Sequence, residues 1–168
     1  MKLYFSGFSL IKDDELFQEY REINDFTISG FSYGAIKAFE YVLNTTKRVD
    51  KLQFFSPAFF NDKDEKYKRM QLLYFKKDAK TYCDNFLKNS EFTDEKIKKY
   101  FKMGTYEELD ELLHYTWNLE KLALLKEKNI KLEVFLGEND KIIDAKKALE
   151  FFRKFGEVYF IKNKGHIL

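Results

Sequence analysis

A single cysteine, Cys83, among 168 residues excludes an internal disulfide and fits a reducing compartment. One proline, Pro57, and seven glycines leave no material for a Pro-rich linker or a Gly-rich phosphate loop. There are only two histidines, and neither a Cys-x-x-Cys pair nor a His-Glu-x-x-His run occurs, so no metal and no organic cofactor is expected. No apolar run approaches the ~20 residues that span a bilayer. The N-terminus lacks a charged-then-apolar signal pattern, since residues 3–11 are broken by Ser and Gly and run into Asp13-Asp14-Glu15. No membrane association is expected, and a cytoplasmic location is. Charge of one sign is also missing: 30 basic against 28 acidic side chains leave +2, which is no nucleic-acid signature.

What remains is a chain of single-domain length, 45% hydrophobic and 18% aromatic, rich enough to bury a core. Short β-prone runs predict strands over 2–6, 25–29, 51–55, 131–136 and 157–161. Helices over roughly 13–22, 34–45 and 144–155 would connect them, giving a parallel sheet. Residues 61–128 contain no convincing strand and carry helical periodicity, so they read as a helical insertion in a core formed by 1–60 and 129–168.

Gly30-Phe31-Ser32-Tyr33-Gly34 lies between an apolar run and a helical one. A serine on such a strand-to-helix turn stands off the end of a parallel sheet, and the flanking glycines let the backbone bend sharply beside it. Two further loops follow predicted strands at the same sheet edge. Gly137-Glu138-Asn139-Asp140 follows the fourth strand and Lys164-Gly165-His166 the fifth, giving the order Ser32…Asp140…His166. In that arrangement Ser32 attacks an acyl carbon, His166 moves the proton and Asp140 orients the imidazole. Glu138 and Asp144 are local competitors for the acid. His114, in an amphipathic helical stretch, reads as a packing or half-exposed residue, and Cys83, away from the sheet edge, as a packing one.

These motifs resemble the α/β-hydrolase superfamily and, more closely, the short pimeloyl-[acyl-carrier-protein] methyl ester esterases of biotin synthesis. The resemblance runs over nearly the whole chain. It rests on Ser6-Gly7-Phe8-Ser9, Gly30 to Gly34, Trp117-Asn118-Leu119, Gly137 to Ile143 and Gly165-His166. It implies a minimal α/β hydrolase of about five mainly parallel strands with flanking helices and a helical lid. It also implies an oxyanion hole from the backbone N–H groups of Phe8 and Tyr33, and a substrate carried on acyl carrier protein. The usual His-Gly-aromatic-Gly loop stands here as Ser6-Gly7-Phe8-Ser9, a change that leaves backbone donors in place if the main chain keeps its path. The final helix that usually follows the histidine has no counterpart, so Leu168 is expected to pack inward and position the histidine loop. Alternatives are an esterase or thioesterase for small free substrates, and a non-catalytic fold that binds a ligand or carrier protein.

Charge is uneven within the insertion. Residues 63–102 carry 12 basic and 7 acidic side chains, whereas 103–120 carry no Lys or Arg and 5 acids. If 66–80 is one helix, Lys66, Arg69, Lys76, Lys77 and Lys80 fall within roughly a 100° arc, interrupted by Leu73. That stripe is either a solvated face or a dock for acidic acyl carrier protein. Leu72, Phe75, Phe86, Phe101, Leu112, Leu113 and Trp117 are expected mostly in helix packing, with some facing a pocket above Ser32. Finally, aromatic-rich parallel strands need cover on both faces. Either the segment 13–22 crosses to the second face or a second copy of the chain, as a homodimer, covers it.

Overall fold

The computed structural model describes residues 3–168. Five strands, β1 (Leu3–Phe5), β2 (Thr27–Phe31), β3 (Lys51–Phe55), β4 (Lys131–Gly137) and β5 (Glu157–Ile161), form one parallel sheet in the order β1-β2-β3-β4-β5. Residue 2 of the expected first strand lies outside the described residues. β2 runs two residues later than expected, because it pairs with β3 from Thr27 opposite Lys51 to Phe31 opposite Phe55. Gly30 is therefore a strand residue, and the turn begins at Ser32.

Alternate strand residues serve different faces. Ile28, Leu52, Phe54, Leu132 and Val134 pack in one cluster with α1 (Tyr33–Asn44), α6 (Leu119–Glu127) and α7 (Ala145–Phe152). Trp117 is fully buried among Phe39, Phe54 and Phe152 and donates its indole N–H to the Ala58 carbonyl at 2.8 Å. On the opposite face Phe31, Phe55, Phe135 and Tyr159 form one cross-strand row, and Ser29, Gln53, Glu133 and Glu157 another.

The segment expected as a helix over 13–22 is a 3-10 helix over Asp13–Phe17, a turn over 18–20 closed by the Tyr20 and Arg21 N–H groups on the Phe17 carbonyl, and irregular chain from 21. Past that turn its residues bond the sheet. The Glu22 N–H donates to Gln53 Oε1 at 2.8 Å, Gln53 Nε2 donates to the Tyr20 carbonyl at 3.1 Å, and Arg21 Nε donates to Ser29 Oγ at 3.2 Å. Phe17 stacks on Phe55 with ring centroids 4.7 Å apart. The crossing segment does pack on the second face, joined there by Ile167 and Leu168.

Four helices lie between β3 and α6: α2 (Glu65–Lys77), α3 (Ala79–Asn89), α4 (Asp94–Tyr100) and α5 (Tyr106–His114). Each starts at a side-chain cap, Asp64, Asp78, Thr93 and Thr105 in turn. The Asp78 cap breaks 66–80 into two helices. Lys80 thus sits on α3, not on the arc shared by Lys66, Arg69, Lys76 and Lys77. No helix among the described residues is long and apolar enough to cross a membrane.

Candidate active site

Ser32 occupies the turn between β2 and α1 with φ 53° and ψ −114°, a conformation that costs an L-residue energy. The glycines around it are required by close backbone approach. A Cβ on Gly30 would meet the Gly34 carbonyl oxygen at 2.2 Å, and one on Gly34 would meet the Phe5 carbonyl oxygen at 2.0 Å. Neither obstacle is a side chain that could swing away.

Main-chain bonds carry the sheet one step past its strand ends. The Ser32 N–H donates to the Phe55 carbonyl at 2.9 Å, Ser56 N–H to Phe135 at 2.8 Å and Glu138 N–H to Ile161 at 2.9 Å. This brings the loops after β2, β3 and β4 to one edge at related heights. The loop after β5 joins them when Asn139 N–H donates to the Lys164 carbonyl at 2.8 Å.

On that edge the three predicted residues meet. His166 Nε2 lies 3.0 Å from Ser32 Oγ, and its Nδ1 lies 2.7 Å from Asp140 Oδ2. With the ring proton on Nδ1, facing the carboxylate, Nε2 is left to accept the serine hydroxyl proton. Asp140 Oδ1 accepts from the N–H groups of Ile142 at 2.7 Å and Ile143 at 3.0 Å, which fixes the carboxylate's orientation. The His166 and Asp140 side chains are completely buried, and Ser32 is nearly so. Phe31 and Phe86 flank the imidazole, with ring centroids 5.1 and 6.5 Å from it. The rival acids lie elsewhere: Glu138 is exposed, and Asp144 caps α7 through the Lys147 N–H.

Two supports were not legible in advance. Ser56 has φ 41° and donates its hydroxyl to the His166 carbonyl at 2.6 Å. Its position just past β3, on the same edge as Ser32 and Asp140, was the available signal. Asp13 is buried beside Ser6-Gly7-Phe8-Ser9, where in sequence it reads as one acid of a helix start. The expected oxyanion donors, Phe8 and Tyr33, are both buried. Tyr33 opens α1, so its N–H has no intrahelical acceptor, and neither N–H donates to a protein acceptor among the described residues. The Tyr33 hydroxyl donates to Glu111 Oε2 of α5 at 2.7 Å, and burial, with that bond second, pushes the phenol up.

A cavity of about 570 Å³ opens between the α2–α3 hairpin and the Asp140 loop. Phe86 and Ile142, which touch the His166 and Asp140 neighbourhood, line it together with Phe60 and Leu113. Leu72, Phe75, Leu112 and Trp117 belong to the packed core. Lys66, Arg69, Lys76, Lys77 and Lys80 are all exposed. Lys77 reaches the cavity wall, and Lys76 lies 4.7 Å over the Tyr106 ring. Cys83 is buried, which pushes its thiol up and away from nucleophilic use. Among the described residues, no group of three or more His, Cys, Asp or Glu gathers to hold a metal.

No protein-family model and no curated protein matches the sequence. Solved structures do match. A carboxylesterase of the thaumarchaeon Nitrososphaera gargenis superposes with TM-score 0.59 at 16% identity, over 83% of this chain and 57% of that one. BioG from Haemophilus influenzae gives TM-score 0.60 at 16% identity, over 99% of this chain and 88% of that one. The fold is that of an α/β hydrolase. An esterase from Exiguobacterium antarcticum gives 0.64 at 16%, over 91% and 63%. The chain spans little more than half the length of the Nitrososphaera gargenis carboxylesterase, and its length is close to that of BioG.

Proposed function

We propose that the protein is a serine carboxylesterase, and that its substrate is the methyl ester of a pimeloyl chain carried on acyl carrier protein. The observation that carries the esterase reading is the continuous Ser32–His166–Asp140 chain of hydrogen bonds at the carboxyl edge of the sheet. Ser32 Oγ attacks the ester carbon while His166 Nε2 takes its proton. The oxyanion is met by the Phe8 and Tyr33 N–H groups. The tetrahedral adduct then expels methanol, which receives the proton from His166, and leaves an acyl-enzyme on Ser32. Water, deprotonated by His166, attacks that acyl carbon, and the free carboxylate departs as the proton returns to Ser32. Asp140 stays ionised and stabilises the imidazolium in both halves.

The carrier-bound substrate rests on the sequence resemblance and is supported by the likeness in size and fold to BioG. The α2–α5 helices act as the lid in this reading. The cavity has an apolar end near the histidine and amide side chains, Gln71, Asn85 and Asn89, farther along its wall. Exposed cations on α2 offer an acidic carrier protein a dock.

A fluorophosphonate probe tests the chemistry: Ser32 should be labelled and the Ser32→Ala variant should not. A wild type that resists the probe is a binding protein, not an esterase. The carrier is tested by Lys66→Glu/Arg69→Glu, two exposed α2 positions outside the cavity wall. The double variant should slow hydrolysis of the carrier-bound ester and leave a small free ester unaffected, and added salt should mimic it. Equal rates on the carrier-bound ester for wild type and variant would point to free esters as the substrates.

A further inference from the structure

Phe8 supplies its N–H from the middle of a turn, and the direction of that N–H is set by the residue before it. The Phe8 N–H and the Gly7 carbonyl belong to one planar trans peptide and point in opposite directions. The Gly7 carbonyl accepts from the Leu10 N–H at 3.3 Å. Glycine at position 7 leaves room for the Phe31 ring, since a Cβ there would lie 2.7 Å from Phe31 Cδ1 and would push the ring aside. Glycine is also the residue with the greatest freedom to rotate, so something else must hold it.

Asp13 does so. Its Oδ2 accepts from the Gly7 N–H at 3.0 Å and from the Tyr4 hydroxyl at 2.9 Å, and the side chain is fully buried. The carboxyl has no bonded cation among the described residues; Arg21 pairs with Asp14 instead, at 2.8 Å. Burial pushes the Asp13 carboxyl up, and its hydrogen bonds from Gly7 and Tyr4 oppose that. A buried acid without a cation is costly for a chain that needs only to fill space there. The far end of the turn is secured separately. Ser9 Oγ accepts from the Gly104 N–H at 3.2 Å, the Ser9 carbonyl from Lys102 N–H at 3.0 Å, and the Tyr100 carbonyl from Ile11 N–H at 2.8 Å.

We propose that Asp13 is a positioning residue for ester hydrolysis: by holding the Gly7 N–H while Leu10 holds the Gly7 carbonyl, it aims the Phe8 N–H at the oxyanion. The proposal rests on the esterase reading above. It concerns a group that touches no reacting atom and acts only through the Gly7–Phe8 peptide.

The test compares wild type, Asp13→Ala and Asp13→Asn for hydrolysis of p-nitrophenyl butyrate, with kcat and KM resolved. It adds the affinity of a trifluoromethyl ketone, whose serine adduct places an oxyanion in the hole. Loss of one oxyanion donor lowers kcat by about 10²–10³-fold. Asp13→Ala should therefore lose on the order of 100-fold in kcat with KM nearly constant, and ketone affinity should fall in parallel. Asp13→Asn, which keeps an acceptor oxygen for Gly7 and Tyr4, should recover most of that loss. If Asp13→Ala does not fold, Asp13→Ser, too short to reach Gly7, carries the same expectation. The proposal is overturned if the folded truncation keeps wild-type kcat, if ketone affinity does not follow kcat, or if Asn is no better than the truncation. A wild type inert toward both ester and ketone overturns the esterase reading and this one together; an active wild type with an indifferent Asp13 overturns this one alone.

Discussion

Replacing Ser32 by glycine should make the protein more stable than replacing it by alanine, although both variants lose the proposed nucleophile. At φ 53° and ψ −114° the Ser32 backbone mirrors an extended conformation, which glycine enters freely and an L-residue only under strain. Such strain is worth about 1–3 kcal/mol. Alanine keeps the Cβ and so keeps the strain. Both substitutions sacrifice the 3.0 Å bond to His166, so that loss cancels in the comparison. Against the gain stands the greater freedom of glycine in the unfolded chain, about 0.5–1 kcal/mol. Taking the middle of each range, the difference favours Ser32→Gly over Ser32→Ala by about 1 kcal/mol. For a domain of this size that corresponds to a Tm gap on the order of 2–4 °C. Thermal and urea denaturation of the two variants, with p-nitrophenyl ester turnover recorded to show both inactive, provides the measurement. An alanine variant equal to or more stable than the glycine variant would refute the idea that the turn stores strain for function.

Two other expectations follow from particular contacts. His114 bridges α5 to Glu65 of α2 at 2.8 Å and also faces Asp110 at 2.8 Å, and the Glu65 bond, first among several causes, raises its pKa. The stabilisation is complete below the ordinary histidine value of 6.5 and disappears as pH rises through the raised folded value. The urea midpoint should thus decline over that interval, and His114→Gln should flatten the decline; an unchanged slope would rule the bridge out. Ile167 and Leu168 are buried against Phe31 and Phe55 directly after the histidine. The Leu168→Ala change should cost about 2–3 kcal/mol and lower turnover; a destabilised variant with normal turnover would show that the tail stabilises without positioning His166.

The parts of the site legible in sequence are those whose geometry is local. A serine between two glycines at a strand end, and an acid and a histidine in loops just past later strands, declare themselves through turn chemistry within a few residues. The parallel sheet was legible for a similar reason, since runs such as Leu132 to Leu136 alternate faces over a short span. What failed was non-local. Residues 13–22 have spacing that suits a helix, but Gln53, more than thirty residues away, captures the Tyr20 carbonyl and the Glu22 N–H, so the chain leaves its opening 3-10 helix and turn for the sheet instead of continuing as a helix. Asp78 offered a readable cap followed by Thr81, and the basic run on either side obscured it. Asp13 gave no warning, because nothing in Asp13-Asp14-Glu15 tells which acid turns inward to Gly7.

The bonds that extend the sheet past its strand ends turn the site into a span between pillars. Neighbouring strands stand ~4.8 Å apart, so Ser32 after β2 and Asp140 after β4 are rooted about 10 Å from one another, with β3 between them. An imidazole can reach both only if its own backbone is propped over the gap. The prop is Ser56, rising from the end of β3 to hold the His166 carbonyl from below. Slippage of β3 by one residue would remove this central support and, with it, the Ser32 N–H bond to the Phe55 carbonyl. The distance the histidine must bridge is therefore written in strand spacing, not in any of the three side chains.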